Sequence, residues 1–513
     1  MLSIYPVQPL PEPCDDYDVL INGQRIDLNT ARVSACPFNR RWPGRQRQRD
    51  QSELINFASF ATDAAVDIAV RPKRPCAHPD RLAVRPATLG ITPTFSADGF
   101  IRFRLEKPAY FTLEPFGRQG ALHIFADPPA HDDLRPDGPD VLYFGPGEHD
   151  AGLITLKDNQ TLFIDAGAVL YACVQAVTAK NIRIIGRGIL DNSRNCEQIL
   201  RAIPLGDGSV DVGNAFRRHC IQLDSCENIL IDGITIRDSL VYNIRPSACR
   251  NLTIRNVKII GCWRYNSDGI DMHNCENVDI DHCFLRTYDD SICIKGYDFY
   301  PHEHNDLNAR HAQNARNIRV HDCTIWNDWG KCLEIGAETR ADEICDILFS
   351  DCQIIHVTGP VLDCMNVDYA DVHDVTYRNI TIHFDDVIDQ PLIQRADAER
   401  YHDQPRNPDY VPPVIMAHVC FHHEYSAGGT RRGKNRRFIY QNIALTGRQP
   451  FHLAFLGFDA DHRCEDMLLD GLRHNNQPIT ALTPDICRLN EFTHNIRLAR
   501  MIADETAVFG PKG

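Results

Sequence analysis

No apolar run of about 18 residues occurs in this chain, so no transmembrane span is expected. The first residues, MLSIYPVQPLPEPCDDYD, lack a basic start followed by an apolar block. That absence removes the usual sign of secretion and leaves a cytoplasmic location as the expectation, unless a leader was removed before this numbering begins. Positive charge is in deficit: 54 Lys and Arg against 69 Asp and Glu give a net charge of -15, which argues against a nucleic-acid or anionic-membrane partner. Cysteine is plentiful, at 20 residues, yet no CxxC pair with zinc-like partners is present, and no metal or other cofactor is expected.

The cysteines that are there recur at fixed places. Cys226, Cys249 and Cys275 each precede by two residues an Asn that opens a strand-like run, and Cys283, Cys323 and Cys352 recur within DHCFL, HDCTI and SDCQI. Such recurrence predicts stacked, buried free thiols packed as small hydrophobes, which suits a reducing compartment. The Asn residues mark the repeat itself. Asn159, Asn181, Asn228, Asn251, Asn277 and Asn317 each precede alternating Ile, Val or Leu, and the pattern continues at Cys345, His373, Arg437 and Glu465, with adjacent starts often 22 to 26 residues apart.

A fixed period of that size predicts a solenoid, and short strands with little helical periodicity predict an all-β, right-handed parallel β-helix over residues 136–513. Asn at the bends tolerates the left-handed conformation and can bond its counterpart in the next coil. Residues 1–135 read differently: Pro- and Arg-rich, with alternating runs at 18–24, 64–70, 99–105 and 121–125, they predict a separate N-terminal β-sandwich. The basic run Arg40 to Arg49 reads as a solvated or inter-domain loop. Two loop insertions are expected, near 297–315 and 388–436; His302, His304 and His311 in the first are spaced as a plain polar loop rather than a metal site.

Three acids stand out within the repeat. Asp268 and the pair Asp289-Asp290 lie in two similar segments, each ending in an apolar alternation, Ile270-Asp271-Met272 and Ile292-Cys293-Ile294. In stacked coils their carboxyls converge, the equipment for hydrolysing a glycosidic bond, with one acid protonating the leaving oxygen and another carboxylate activating water. Strict alternation would send Asp289 and Asp290 to opposite faces, so a bend just before Ile292 is required, and Gly269 must re-aim Asp268. Clustered carboxyls cannot all ionise cheaply, which raises a pKa and makes a proton donor.

In motif order, YNIRPSACRNLTI, NSDGID, DDSICIKG and GKCLEIGAE between Tyr242 and Glu338 resemble the polygalacturonases, glycoside hydrolase family 28. The upstream FGPGEHDAGLITLKDNQTLFIDAGAVLYA is similar to the first coils of that family and of the family 49 dextranases, which also carry an N-terminal sandwich. The resemblance covers roughly residues 140–385. It implies a right-handed parallel β-helix and single-displacement hydrolysis with inversion, Asp289 as general acid, and Asp268 and Asp290 positioning and deprotonating water. An inverting pair needs carboxyls roughly 6.5–9.5 Å apart.

Two departures bear on substrate. Where the family has Gly-His-Gly this chain has Gly330-Lys331-Cys332, and where it has Arg-Ile-Lys for the uronate carboxylate this chain has Val361-Leu362-Asp363-Cys364-Met365. Lys331 stands in the place of the His, and Asp363 would repel a uronic acid. A neutral, α-linked oligo- or polysaccharide is therefore the expected substrate. Lys295, Glu334 and Arg245 lie on matching motifs as hydroxyl partners, and Trp263, Tyr265, Tyr288 and Trp329 are candidate sugar platforms. The competing classes are a pectin-type hydrolase, a uronate lyase or epimerase, and a non-catalytic glycan-binding β-helix; oligomeric state is left open.

Overall fold

In a computed structural model, the described residues are 2–8, 14–40, 49–76, 79–130, 138–195, 203–204, 210–211, 219–297, 314–384, 390–396, 398–423, 425–426, 431–447 and 450–499. The insertion expected near 297–315, with His302, His304 and His311, lies almost wholly outside them, as does most of the run between Arg40 and Arg49. Helical structure among the described residues is confined to short 3-10 turns, and no helix is long and apolar enough to cross a membrane.

The chain beyond residue 140 winds as a right-handed parallel β-helix with three strand faces. Face A is a twelve-stranded parallel sheet running from Val141–Phe144 to Thr493–Ala499. A representative coil has Arg250–Arg255 on face A, Lys258–Ile260 on face B and Ile270–His273 on face C. The expected Asn ladder is present. Asn159, Asn181, Asn228, Asn251, Asn277 and Asn317 all have positive φ, and from Asn181 onward each side-chain amide donates to its neighbour's oxygen one coil back, at 2.8–3.0 Å. In later coils the left-handed place passes to Asp346, Asp374, Arg437 and Asp466, still mostly short side chains that tolerate αL.

Inside the coils Ile, Leu and Val stack in register, Ile244, Ile270, Ile292, Leu333, Leu362 and Ile415 forming one continuous column. The thiols Cys226, Cys249 and Cys275 stack among them, and every described cysteine is free.

Residues 2–127 form a six-stranded and a five-stranded sheet facing each other over a core that includes Val19, Val70, Phe103, Phe60, Phe111 and Ile124. The run 18–24 is not one strand: it turns at Asn22-Gly23, both at positive φ, into the hairpin Tyr17–Ile21 and Gln24–Ile26. The long strand Ser52–Thr62 buries both its faces, one in that core and one, through Ile55 and Phe57, against face B residues Ile260, Phe284, Trp326 and Ile355. A second link is made by Phe38–Arg40, which pairs in parallel with Leu392–Gln394 from the later insertion.

Candidate active site

Face C carries the three acids on stacked bends. Just before each strand, Asn243 N donates to Asp268 O at 2.9 Å, Gly269 N to Asp290 O at 2.8 Å, and Ser291 N to Lys331 O at 2.7 Å, so Asp268, Asp290 and Lys331 occupy one position in successive coils. The chain does bend where alternation required it, at 288–291 and at Gly269. The bends are packed backbone to backbone. A Cβ on Gly269 would lie 2.2 Å from Ser291 O, and one on Gly330 would lie 2.6 Å from the Asp289-Asp290 peptide. Buried Asn327 fixes the second bend, donating to the carbonyls of Asp289 at 2.7 Å and Lys331 at 3.1 Å, while Thr287 Oγ1 donates to Asp289 O.

One carboxylate oxygen each from Asp268, Asp289 and Asp290 lies within 4.8 Å of the other two. This is closer than the roughly 6.5–9.5 Å expected from the sequence. The reason is that Asp268 and Asp290 stand at the same place in adjacent coils, one rung or about 4.8 Å apart, and Asp289 is the chain neighbour of Asp290. A water needs about 2.8 Å to each oxygen it bonds, so the gap still holds one water between two carboxylates. Asp268 is buried, whereas Asp289 and Asp290 are half-buried.

Burial pushes every one of these carboxyls up. Asp289 rises to about 7, with Asp290 as the next cause and Asn266 N–H, donating to its Oδ2 at 3.2 Å, opposing it. Asp290 rises to about 8, with Glu334 next, and Asp268 rises well above the usual carboxylate range, with Asp271 next. Four carboxyls crowd the bends, so the direction of shift alone does not select the donor.

The predicted substrate-binding residues divide in two. Lys295, Lys331, Glu334 and Asp363 come together with the acids. Lys295 Nζ lies 3.4 Å from Asp271, 3.8 Å from Glu338 and 3.9 Å from Asp290. Lys331 Nζ bonds Glu334 and lies 3.1 Å from Asp363, its backbone N–H donating to Asp290 Oδ1 at 3.0 Å. The two departures from the family 28 pattern are thus one ion pair. Arg245 is buried one rung up, 3.9 Å from Asp224, in the coil whose Ile244 pairs with Ile270.

The aromatic platform needs correction. Tyr288 is wholly buried in the solenoid core, stacked on partly buried Trp329 at 5.8 Å, because the bend that frees Asp289 turns the preceding ring inward. Trp263 is buried too, its indole N–H donating to Asp238 at 2.9 Å under the Arg264 guanidinium; Tyr265 is half-buried. Sequence reasoning missed Asp271, Glu338 and Tyr425. Asp271 was legible from parity: it alternates with buried Ile270 and Met272, and its row continues through Cys293, Glu334 and Asp363. Tyr425, 37% exposed and stacked on His422, has its phenol pushed up by burial and then by Asp289.

Residues 152–400 match the family described as glycosyl hydrolases family 28. A probable polygalacturonase of Vitis vinifera is 26% identical over 243 residues, 41% of this chain and 48% of that protein. A polygalacturonase of Gossypium barbadense is 27% identical over 157 residues, 28% of this chain and 39% of its own length. The chain therefore spans less than half the length of these relatives. Among solved structures, Dex49A from Penicillium minioluteum shares the fold, with a TM-score of 0.56 at 13% identity over 96% of both chains. In its central coils the chain resembles glycosyl hydrolases family 28 by sequence, and along its length it shares the β-helix fold of Dex49A.

Proposed function

We propose that the protein hydrolyses an α-linked bond in a neutral oligo- or polysaccharide by single displacement with inversion. The convergence of Asp268, Asp289 and Asp290 on stacked bends carries this reading. Asp289, raised to about 7 and with no lysine or arginine in ion-pair contact among the described residues, is protonated near neutrality and gives its proton to the leaving oxygen. In its charged form, which Lys295 Nζ at 3.9 Å favours, Asp290 takes the proton of the attacking water, which Asp268 holds from the other side.

Charge in the cleft supports a neutral sugar. Asp268, Asp271, Asp289, Asp290, Glu334, Glu338 and Asp363 face only Lys295 and Lys331 in the ion pairs described, and the charge of Lys331 is answered by Glu334 and Asp363. The relatives named polygalacturonase favour a second reading, a galacturonan-type substrate. A panel of neutral α-glycans, polygalacturonate and rhamnogalacturonan, read by new reducing ends, separates the two. Release from neutral glycans alone is expected, and robust release from polygalacturonate would reject the preference. NMR of the first-formed anomer is expected to show inversion; a retained anomer would rule out single displacement.

A further inference from the structure

On the outer surface of face A, one row of side chains alternates in charge from coil to coil: Lys180, Glu227, Arg250, Glu276 and Arg316 stand in register. Ion pairs of 3.0–3.2 Å join Lys180 to Glu227, and Arg250 and Arg316 to Glu276. The alternation then stops. The next two places are Cys345 and His373, followed by Arg436. A thiol and an imidazole replace the expected charge partners, and Glu343, two residues before Cys345, reaches the same spot.

One ligand atom each from Glu343, Cys345 and His373 lies within 4.8 Å of the other two. His373 is 9% exposed, and its Nε2 is buried without a hydrogen bond, 3.7 Å from Glu343 Oε1. Its other nitrogen, Nδ1, lies 2.8 Å from Asp374 Oδ2. Arg437 Nη2 donates to that oxygen at 2.7 Å and, in the other ring tautomer, to Nδ1 at 3.0 Å. In the ring tautomer that donates from Nδ1 to Asp374, the lone pair of Nε2 faces a carboxylate oxygen and a thiol sulfur. The nearby arginines are matched elsewhere: Arg436 by Asp371 at 2.6 Å, Arg437 by Asp374, and Arg316 by Glu276.

We infer that Glu343, Cys345 and His373 form a binding site for a borderline-soft divalent cation of the zinc class, outside the catalytic cleft. The donor set is one thiolate, one imidazole and one carboxylate, three protein ligands that leave a fourth position for water. Asp374 orients the imidazole, as carboxylates do for metal-bound histidines. Tetrahedral zinc needs ligand atoms roughly 3.3–3.8 Å apart, a closure that the surface-exposed Glu343 side chain can supply. The ion would clamp the coil whose face C strand carries Asp363 to the next, whose face C strand is Pro413–Val419.

The test is isothermal titration of the untagged, chelator-stripped full chain with Zn²⁺. One equivalent is expected to bind. Cys345→Ser and His373→Ala should each lose it, and Asp374→Asn should weaken it about 10–100-fold, while Asp289→Asn and Glu334→Gln leave it unchanged. Co²⁺ loading should give a thiolate charge-transfer band that Cys345→Ser lacks. Unchanged melting of metal-free Cys345→Ser separates lost ligation from lost folding. Absence of binding by the wild-type chain, binding that survives the Cys345→Ser/His373→Ala pair, or binding lost in Asp289→Asn would overturn the site.

Discussion

Face B and face C both bury acidic side chains, and they treat them in opposite ways. Under the N-terminal sandwich, Asp127 meets Lys258 at 2.9 Å, Asp191 meets Arg237 at 2.5 Å, Asp328 meets Arg118 at 2.5 Å, and Glu114 meets His356 at 2.7 Å. Each carboxylate there has at least one lysine or arginine against it, Glu114 being met by Arg85 at 3.3 Å and Asp328 by Arg286 at 3.6 Å as well. On face C, Asp268, Asp271, Asp289 and Asp290 crowd around one lysine, and burial drives all four upward. Matched burial glues two parts of a molecule together, whereas unmatched burial creates groups poised to exchange protons near neutral pH.

The largest expected effect is on face C. Asp289→Asn should cut the rate on unactivated glycosides by about 10²–10⁴ while the fold persists. An aryl glycoside with a good leaving group should rescue it far more than it rescues Asp268→Asn or Asp290→Asn. Equal responses of the three would mean that the roles are misassigned. Next comes the matched face: Asp127→Ala strands Lys258 in the interface, and denaturant unfolding should show a loss of about 3–5 kcal/mol. A near-neutral result would erase the contrast between the faces.

A smaller effect tests the bridge between cation and acids on face C. Lys331→Met leaves Glu334 and Asp363 facing each other without their cation, and should lower activity. Adding Asp363→Asn should recover part of the loss, a coupling of about 0.5–3 kcal/mol in the double-mutant cycle. If Lys331 acts only on substrate, the second change recovers nothing. The smallest effect is on the pH profile of stability. The Asp289 carboxyl stands at about 7 folded against an ordinary 3.8, so the unfolded chain ionises first. Its contribution to stability is full below about pH 4 and is lost as pH rises to about 7. Thermal melts of Asp289→Asn should therefore show a shallower decline over that window than the wild type.

Much of this was legible because a solenoid turns sequence position into height. The period of Asn159 to Asn317 announced the coil, and NSDG and DD one coil apart announced that Asp268 and Asp290 share a place. Direction was harder to read than height. Tyr288 sits beside the acids in sequence but points into the core, since a bend reverses parity between neighbours. The contact between sandwich and face B was hidden for another reason: Phe284 and Trp326 look like ordinary alternation until Phe57 and Phe125, some 200 residues earlier, cover them. The pairing of Lys331 with Asp363 also needed the register, because the two lie in successive coils.

The two cysteine columns have a use that their packing alone does not suggest. Cys226, Cys249 and Cys275 stack in one, and Cys283, Cys323 and Cys352 in the other, all buried and all reduced. A thiol reagent reaches them only when a coil opens, so each alkylation rate reports the opening free energy of its own rung. Half-buried Cys14, Cys36 and Cys76 in the sandwich give a faster internal reference. Read by peptide mass, the chain carries its own clock of where the solenoid frays first.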